Sequence, residues 1–231
     1  MLNAANACSP NVGVYVAIRT RFFDDFVFSV NQAGIRQAVI VAAGMDTRAF
    51  RLCWKAGTTV YEMDQPELLR LKDEILAERR AEPQCVRKTI GIDLEREWDT
   101  TLKEAGFTQN EPSVWLLEGL LFYLEDSTVH NILAQLSELA APGSSLGVDF
   151  INESYLTSPW TQEPLSAMAQ LGMAWRSGTE DPEALLAGHG WQAEVRQPGE
   201  EGLGKERWPY PVMPRGFPGI PRSFLVTARK K

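Results

Sequence analysis

Cysteine, histidine and long apolar runs are all scarce in this chain of 231 residues. The three cysteines, Cys8, Cys53 and Cys85, are odd in number, far apart and never in a Cys-x-x-Cys pair. That excludes a disulfide-held scaffold and points to a reducing compartment. The two histidines, His130 and His189, stand far apart in sequence with no ligand spacing around them, which argues against a zinc site. No stretch approaches the roughly 18 apolar residues of a membrane-spanning helix. The opening MLNAANACSPNVG has neither the basic start nor the apolar run of a secretion signal. A soluble, cytoplasmic protein with no membrane partner is expected.

Basic charge is also short, with 23 Lys and Arg against 30 Asp and Glu for a net charge of −7. Nucleic-acid partners need the opposite sign, so none is expected. The imbalance is uneven, because residues 196–231 hold eight basic residues against Glu200, Glu201 and Glu206. No G-x-G-x-x-G, G-x-S-x-G, H-E-x-x-H or P-loop occurs, nor any internal repeat. The usual dinucleotide, serine-hydrolase, zincin and nucleotide-triphosphatase readings therefore have no motif to rest on.

What is present is enough for a core. Hydrophobic residues make up 44% of the chain, well outside the disordered regime. At this length one α/β domain over residues 1–231 is the natural reading. The run AVIVAA at 38–43 fits a strand buried on both faces. Thr59 to Met63, Cys85 to Ile92, Ser113 to Leu117 and Ser145 to Phe150 are further strands, with Arg222 to Thr227 the last. Leu68, Leu71 and Ile75 keep helical spacing within 66–80, and Val129, Ile132, Leu133, Leu136 and Ala140 do so up to Pro142-Gly143. Asp181 to Ala187 reads as a short helix, residues 151–180 have no clean period, and the six prolines and five glycines of 198–221 demand a loop. Alternating strands and helices predict a parallel sheet covered on both faces.

Ligands of such sheets sit at the carboxyl ends of the strands, near the reversal of strand order. Three consecutive strands after the first are followed by acidic residues: Asp64, Asp93 and Glu118. Asp64 also lies 20 residues beyond Gly44, the spacing of a carboxylate that grips both ribose hydroxyls. Asp64 can equally be the cap of the helix after it, Asp93 a turn residue, and Gly44 the glycine of a tight turn. A pyrophosphate would want more glycines and would meet Asp46, so a nucleoside cofactor without phosphate, S-adenosylmethionine, fits better than NAD. Glu118 ends the apolar run VWLL, where a buried carboxylate needs a partner. The first Lys or Arg after it is the distant Arg176, so the cofactor's own ammonium is the expected cation.

The stretches IRTRFFDDF (18–26), AVIVAAGMDTRAFRL (38–52), VYEMDQPELLRLK (60–72), IDLEREW (92–98) and VWLLEGLLFYL (114–124), in this order and spacing, resemble the leucine carboxyl methyltransferase family. The likeness is to its bacterial S-adenosylmethionine-dependent O-methyltransferase branch. It implies a Rossmann-like class I methyltransferase fold, mostly parallel and seven-stranded, with helices on both faces and an antiparallel strand near the end. It further implies that Arg19 holds the cofactor's methionine carboxylate, with Arg21 as a rival. Ala42 and Gly44 would lie under the cofactor, and some relatives have glycine where Ala42 stands. By the same resemblance Asp64 takes the ribose, Asp93 and Leu94 contact adenine, and Glu118 lies near the methionyl amine.

Relatives usually carry a few dozen more residues before the arginine motif. Residues 1–36 are expected to form an N-terminal helical segment, and either the chain is truncated or its lid is built otherwise, with 151–221 as a lid and acceptor-side loop. The implied activity is O-methylation of a carboxylate, or of a hydroxyl, on a small molecule such as a natural-product acid. A carboxylate acceptor needs no general base, so no catalytic residue is assigned, and no metal. Tyr123 could face the acceptor or be helix core. The alternative is a methyltransferase-like protein that binds cofactor without methylating.

Overall fold

The computed structural model describes residues 12–231, and Cys8 lies outside them. A seven-stranded sheet has the order β3-β2-β1-β4-β5-β7-β6. Its strands are β1 (Gln37–Val41), β2 (Thr59–Asp64), β3 (Val86–Gly91), β4 (Ser113–Leu117), β5 (Ser145–Ile151), β6 (Trp191–Arg196) and β7 (Ser223–Lys230). The first five pair in parallel, and β7 runs antiparallel between β5 and β6. The helices are α1 (Val12–Gln32), α2 (Arg48–Arg51), α3 (Pro66–Glu78), α4 (Asp99–Glu104), α5 (Asp126–Leu139), α6 (Glu153–Thr157), α7 (Gln162–Gln170) and α8 (Pro182–Ala187).

The strand period of two sorts the apolar residues onto two faces. Val39, Val41, Tyr61, Met63, Trp115, Leu117, Leu146 and Val148 face the stripe Val129, Ile132, Leu133 and Leu136 of α5, with Trp98 and Leu102 beside them. Ala38, Ile40, Val60, Val114 and Leu116 face Ile18, Phe23 and Val27 of α1. Because both faces are covered, the central strands read as continuous apolar runs. Helix α1 lies so close to β5 that a Cβ at Gly147 would meet the Phe26 ring at 2.9 Å.

Several expected boundaries move. The first strand stops at Val41 because Ala42 turns to φ 54°. Asp64 ends β2 and the cap position of α3 falls to Gln65, so Asp64 is not the cap. Residues 151–180 contain α6 and α7, whose short spans hid their period. Strand β6 went unread because WQAEVR is half-exposed at the sheet edge. The segment after it stays irregular up to β7, as its prolines require. Among the described residues, no helix is long and apolar enough to cross a membrane.

Glu62, inside β2, is a buried charge on the α1 face of the sheet. Its Oε2 accepts from Lys72 Nζ at 2.7 Å and from Arg87 Nε and Nη2 at 2.9 and 2.7 Å. Removing one member of a buried ion pair leaves the other charge uncompensated and costs about 3–5 kcal/mol. Glu62→Gln should therefore lower unfolding stability by about that amount, read from urea denaturation. A loss below about 1 kcal/mol would mean that Lys72 finds another partner or reaches water.

Candidate functional site

The strand order reverses between β1 and β4, whose last residues Val41 and Leu117 lie side by side. The loop Ala42–Asp46 and the Glu118-Gly119 turn therefore meet at one end of the sheet, the crevice where open α/β sheets bind ligands. Ala42 holds a positive φ that glycine adopts without strain and alanine does not. Local strain of this kind concentrates at binding loops.

Asp64 reaches this loop from the adjacent strand. Its Oδ2 accepts from Gly44 N–H at 2.6 Å and its Oδ1 from Gln65 N–H at 2.7 Å. An ionised carboxylate has about four lone-pair sites, so each oxygen keeps room for one further hydroxyl. Two backbone donors thus aim the carboxylate while leaving it able to bind a diol.

Arg19, on α1, reaches the Glu118-Gly119 turn. Its Nε donates to Glu118 Oε1 at 3.0 Å and its Nη1 to Asp149 Oδ2 at 2.9 Å. Its Nη2 has no hydrogen bond to a described residue. Burial opposes the charge on Arg19, yet Asp149, Tyr15 and Glu118 outweigh it and hold the pKa above its ordinary value. Arg21, the rival, points to the surface and pairs with Asp25 one turn on. Gly119 has φ 69°, and a Cβ there would stand 3.0 Å from Arg19 Nη1. Glycine at 119 is thus required by the backbone and by the arginine alike.

Glu118 does not wait for a ligand's cation. Besides Arg19, Nη2 of the buried Arg48 lies 2.7 Å from its Oε2, though not aligned as a hydrogen bond. The expectation that only a cofactor ammonium could meet Glu118 is corrected here: both cations come from upstream in the chain and are brought in by α1 and α2. Arg48 also binds Asp46 and Asp24, and Asp24 binds Arg51. Four carboxylates (Asp24, Asp46, Glu118 and Asp149) against three guanidiniums leave the cluster with one net negative charge. An ammonium is therefore still electrostatically welcome.

Asp93 and Leu94 follow β3 on the far side of Asp64. Asp93 is exposed, accepts from Glu95 N–H at 3.0 Å and pairs with Arg96 at 3.3 Å. Leu94 is partly buried and packs against the core. Tyr123 lies in a 3-10 turn (Leu121–Tyr123), in contact with Phe122 and Trp175. Asp149, Arg48, Asp24 and Tyr15 were not singled out from the sequence, and Asp46 was read there only as a bar to pyrophosphate. Asp149 was findable as the one charge in the apolar strand SLGVDFI.

The histidines, distant in sequence, meet with His130 Nδ1 3.1 Å from His189 Nε2. Among the described residues no group of three or more metal-binding side chains forms. Burial, His130 and Lys230 together lower the pKa of His189 below its ordinary 6.5. The unfolded chain then takes up a proton that the folded one refuses, so stability falls as pH drops from about 6.5 through the depressed folded value. Urea midpoints at pH 7.5 and 5.5 should differ more for the unsubstituted protein than for His189→Gln. Equal differences would show that His189 carries no such linkage.

The family model for leucine carboxyl methyltransferase matches residues 3–137. A protein of Parafrankia sp. named an S-adenosyl-L-methionine-dependent methyltransferase is 38% identical over 80% of this chain and 60% of its own. One of Mycobacterium avium with the same name is 37% identical over 94% of this chain and 73% of its own. The chain thus spans less than two thirds of the length of the first such relatives. A crystal structure of a DUF574 family protein from Streptomyces avermitilis shares the fold, with a TM-score of 0.72 at 16% identity over 99% of this chain and 88% of that one. The sheet is that of a class I methyltransferase, as expected.

Proposed function

Because the chain belongs to the leucine carboxyl methyltransferase family, we propose that it transfers a methyl group from S-adenosylmethionine to an oxygen, a carboxylate before a hydroxyl, of a small molecule. The observation that carries this reading is the division of the crevice into two ends. Asp64 is poised for a diol at one end, and Arg19 and Glu118 offer an amino acid's two charges their complements at the other.

The donor set fits the cofactor. The remaining lone pairs of Asp64 would take the ribose hydroxyls, with Ala42 and Gly44 beneath. The Nη2 of Arg19 would take the methionine carboxylate, and Glu118 would face the ammonium. Asp93 and the backbone of Leu94 would hold adenine, which requires Asp93 to trade its bonds within the 93–96 turn for one to the ring. Bound S-adenosylmethionine supplies an electrophilic sulfonium methyl. The chain's part is to orient that methyl and exclude water, since a carboxylate acceptor is already ionised and needs no base.

A cavity of about 170 Å³ opens beside the end of β5, where Phe122, Phe150, Ile151 and Leu185 share the lining with Asp126, His130, Ser177 and Thr179. Its position supports residues 151–221 as the acceptor-side lid. The free thiols Cys53 and Cys85 support a cytoplasmic setting.

Labelled methyl transfer across a panel of carboxylic acids and phenols tests the activity, and transfer to an acid is expected. Asp64→Ala should weaken S-adenosylhomocysteine at least tenfold by calorimetry. Hydrogen bonds to a charged acceptor contribute about 1.5–3 kcal/mol each, and about 1.4 kcal/mol is tenfold. Unchanged affinity in a folded variant would remove Asp64 from the ribose site.

A further inference from the structure

The Arg19–Glu118 pair is the middle of a longer row. Asp149, Arg19, Glu118, Arg48 and Asp46 alternate in charge, each paired with the next. Asp149 is fully buried and uses both oxygens. Oδ2 accepts from Tyr15 Oη at 3.0 Å and from Arg19 Nη1 at 2.9 Å, and Oδ1 accepts from Gly119 N–H at 2.7 Å. One carboxylate thereby fixes the guanidinium and the peptide next to Glu118. Burial, reinforced by Asp149, pushes the Tyr15 hydroxyl well above its ordinary pKa, so it remains a donor. At the other end Arg48, only 2% exposed, joins Glu118 to the 42–46 loop through Asp46 and to α1 through Asp24.

Such a row is a poor device for stability. Desolvating several charges costs about as much as their attraction returns, and apolar residues of equal volume often stabilise a protein more. The sheet does not need it either, since both faces are already filled with apolar side chains. What the row does supply is a fixed direction for the Nη2 of Arg19 and a fixed place for the Glu118 carboxylate.

We infer that Asp149 and Arg48 are positioning residues for the amino-acid end of the cofactor, holding Arg19 and Glu118 in their binding geometry without touching the ligand. The inference rests on the cofactor reading above. A ligand with the amino-acid end should feel their loss, and one without it should not.

Two probes separate these cases: S-adenosylhomocysteine, and methylthioadenosine, which keeps the nucleoside and lacks the amino-acid end. Asp149→Asn keeps the shape but turns an amide N–H toward Arg19 or toward Gly119 N–H, where a donor meets a donor. It should weaken S-adenosylhomocysteine at least tenfold and leave methylthioadenosine within twofold. Arg48→Lys keeps the charge but loses the planar fork that spans three carboxylates. It should shift the ratio of the two affinities the same way, which keeps the test open if the Asp149 variant does not fold. Equal weakening of both ligands, or none of either, would make these residues structural and overturn the inference while the cofactor reading stands. If the unsubstituted protein binds neither ligand, the cofactor reading itself fails, and the inference with it.

Discussion

A guanidinium from the first described helix, held between carboxylates at the ends of β4 and β5, is the contact on which the site depends. Arg19 ties α1 to both strands at this end of the sheet by ion pairs, through Glu118 and Asp149. A charge in so enclosed a place is tolerable only if it is paired. The pairing in turn dictates its neighbours. Gly119 must lack a side chain, β5 must carry an aspartate within an apolar run, and α2 must bring Arg48 to balance the far oxygen of Glu118.

The crevice that results treats its two ends differently. At Asp64 the backbone N–H groups of Gly44 and Gln65 orient a carboxylate without saturating it. At Arg19 and Glu118 the orienting is done by charged side chains, and the cluster that also holds Asp24, Asp46 and Arg51 keeps one net negative charge. A neutral diol and an amino acid's paired charges ask for those two solutions respectively. A pyrophosphate would ask for a cradle of backbone donors at a helix N-terminus, and here the loop that would provide it presents Asp46 bound to Arg48.

How much of this could be read beforehand follows from how local each feature is. The β-branched run around Val39–Val41, the helical stripe from Val129 to Leu136 and the 20-residue step from Gly44 to Asp64 are set by neighbours in sequence, and they were legible. The partners of Glu118 were not, because Arg19 and Arg48 reach it only after α1 and α2 fold over the strand ends. The short helices α6 and α7 and the edge strand β6 escaped for another reason: each presents too few apolar positions to establish a period. The His130–His189 contact likewise depends on α5 and the turn after α8 packing together across a long sequence interval.

The most direct measurement is a crystal structure of the chain with S-adenosylhomocysteine. The account predicts ribose hydroxyls on the two oxygens of Asp64, the ligand carboxylate on Arg19 Nη2 and its ammonium facing Glu118, with Asp149 and Arg48 still in place behind them. A ligand ordered in the crevice with its ribose away from Asp64, or with its amino-acid end turned to solvent, would contradict it.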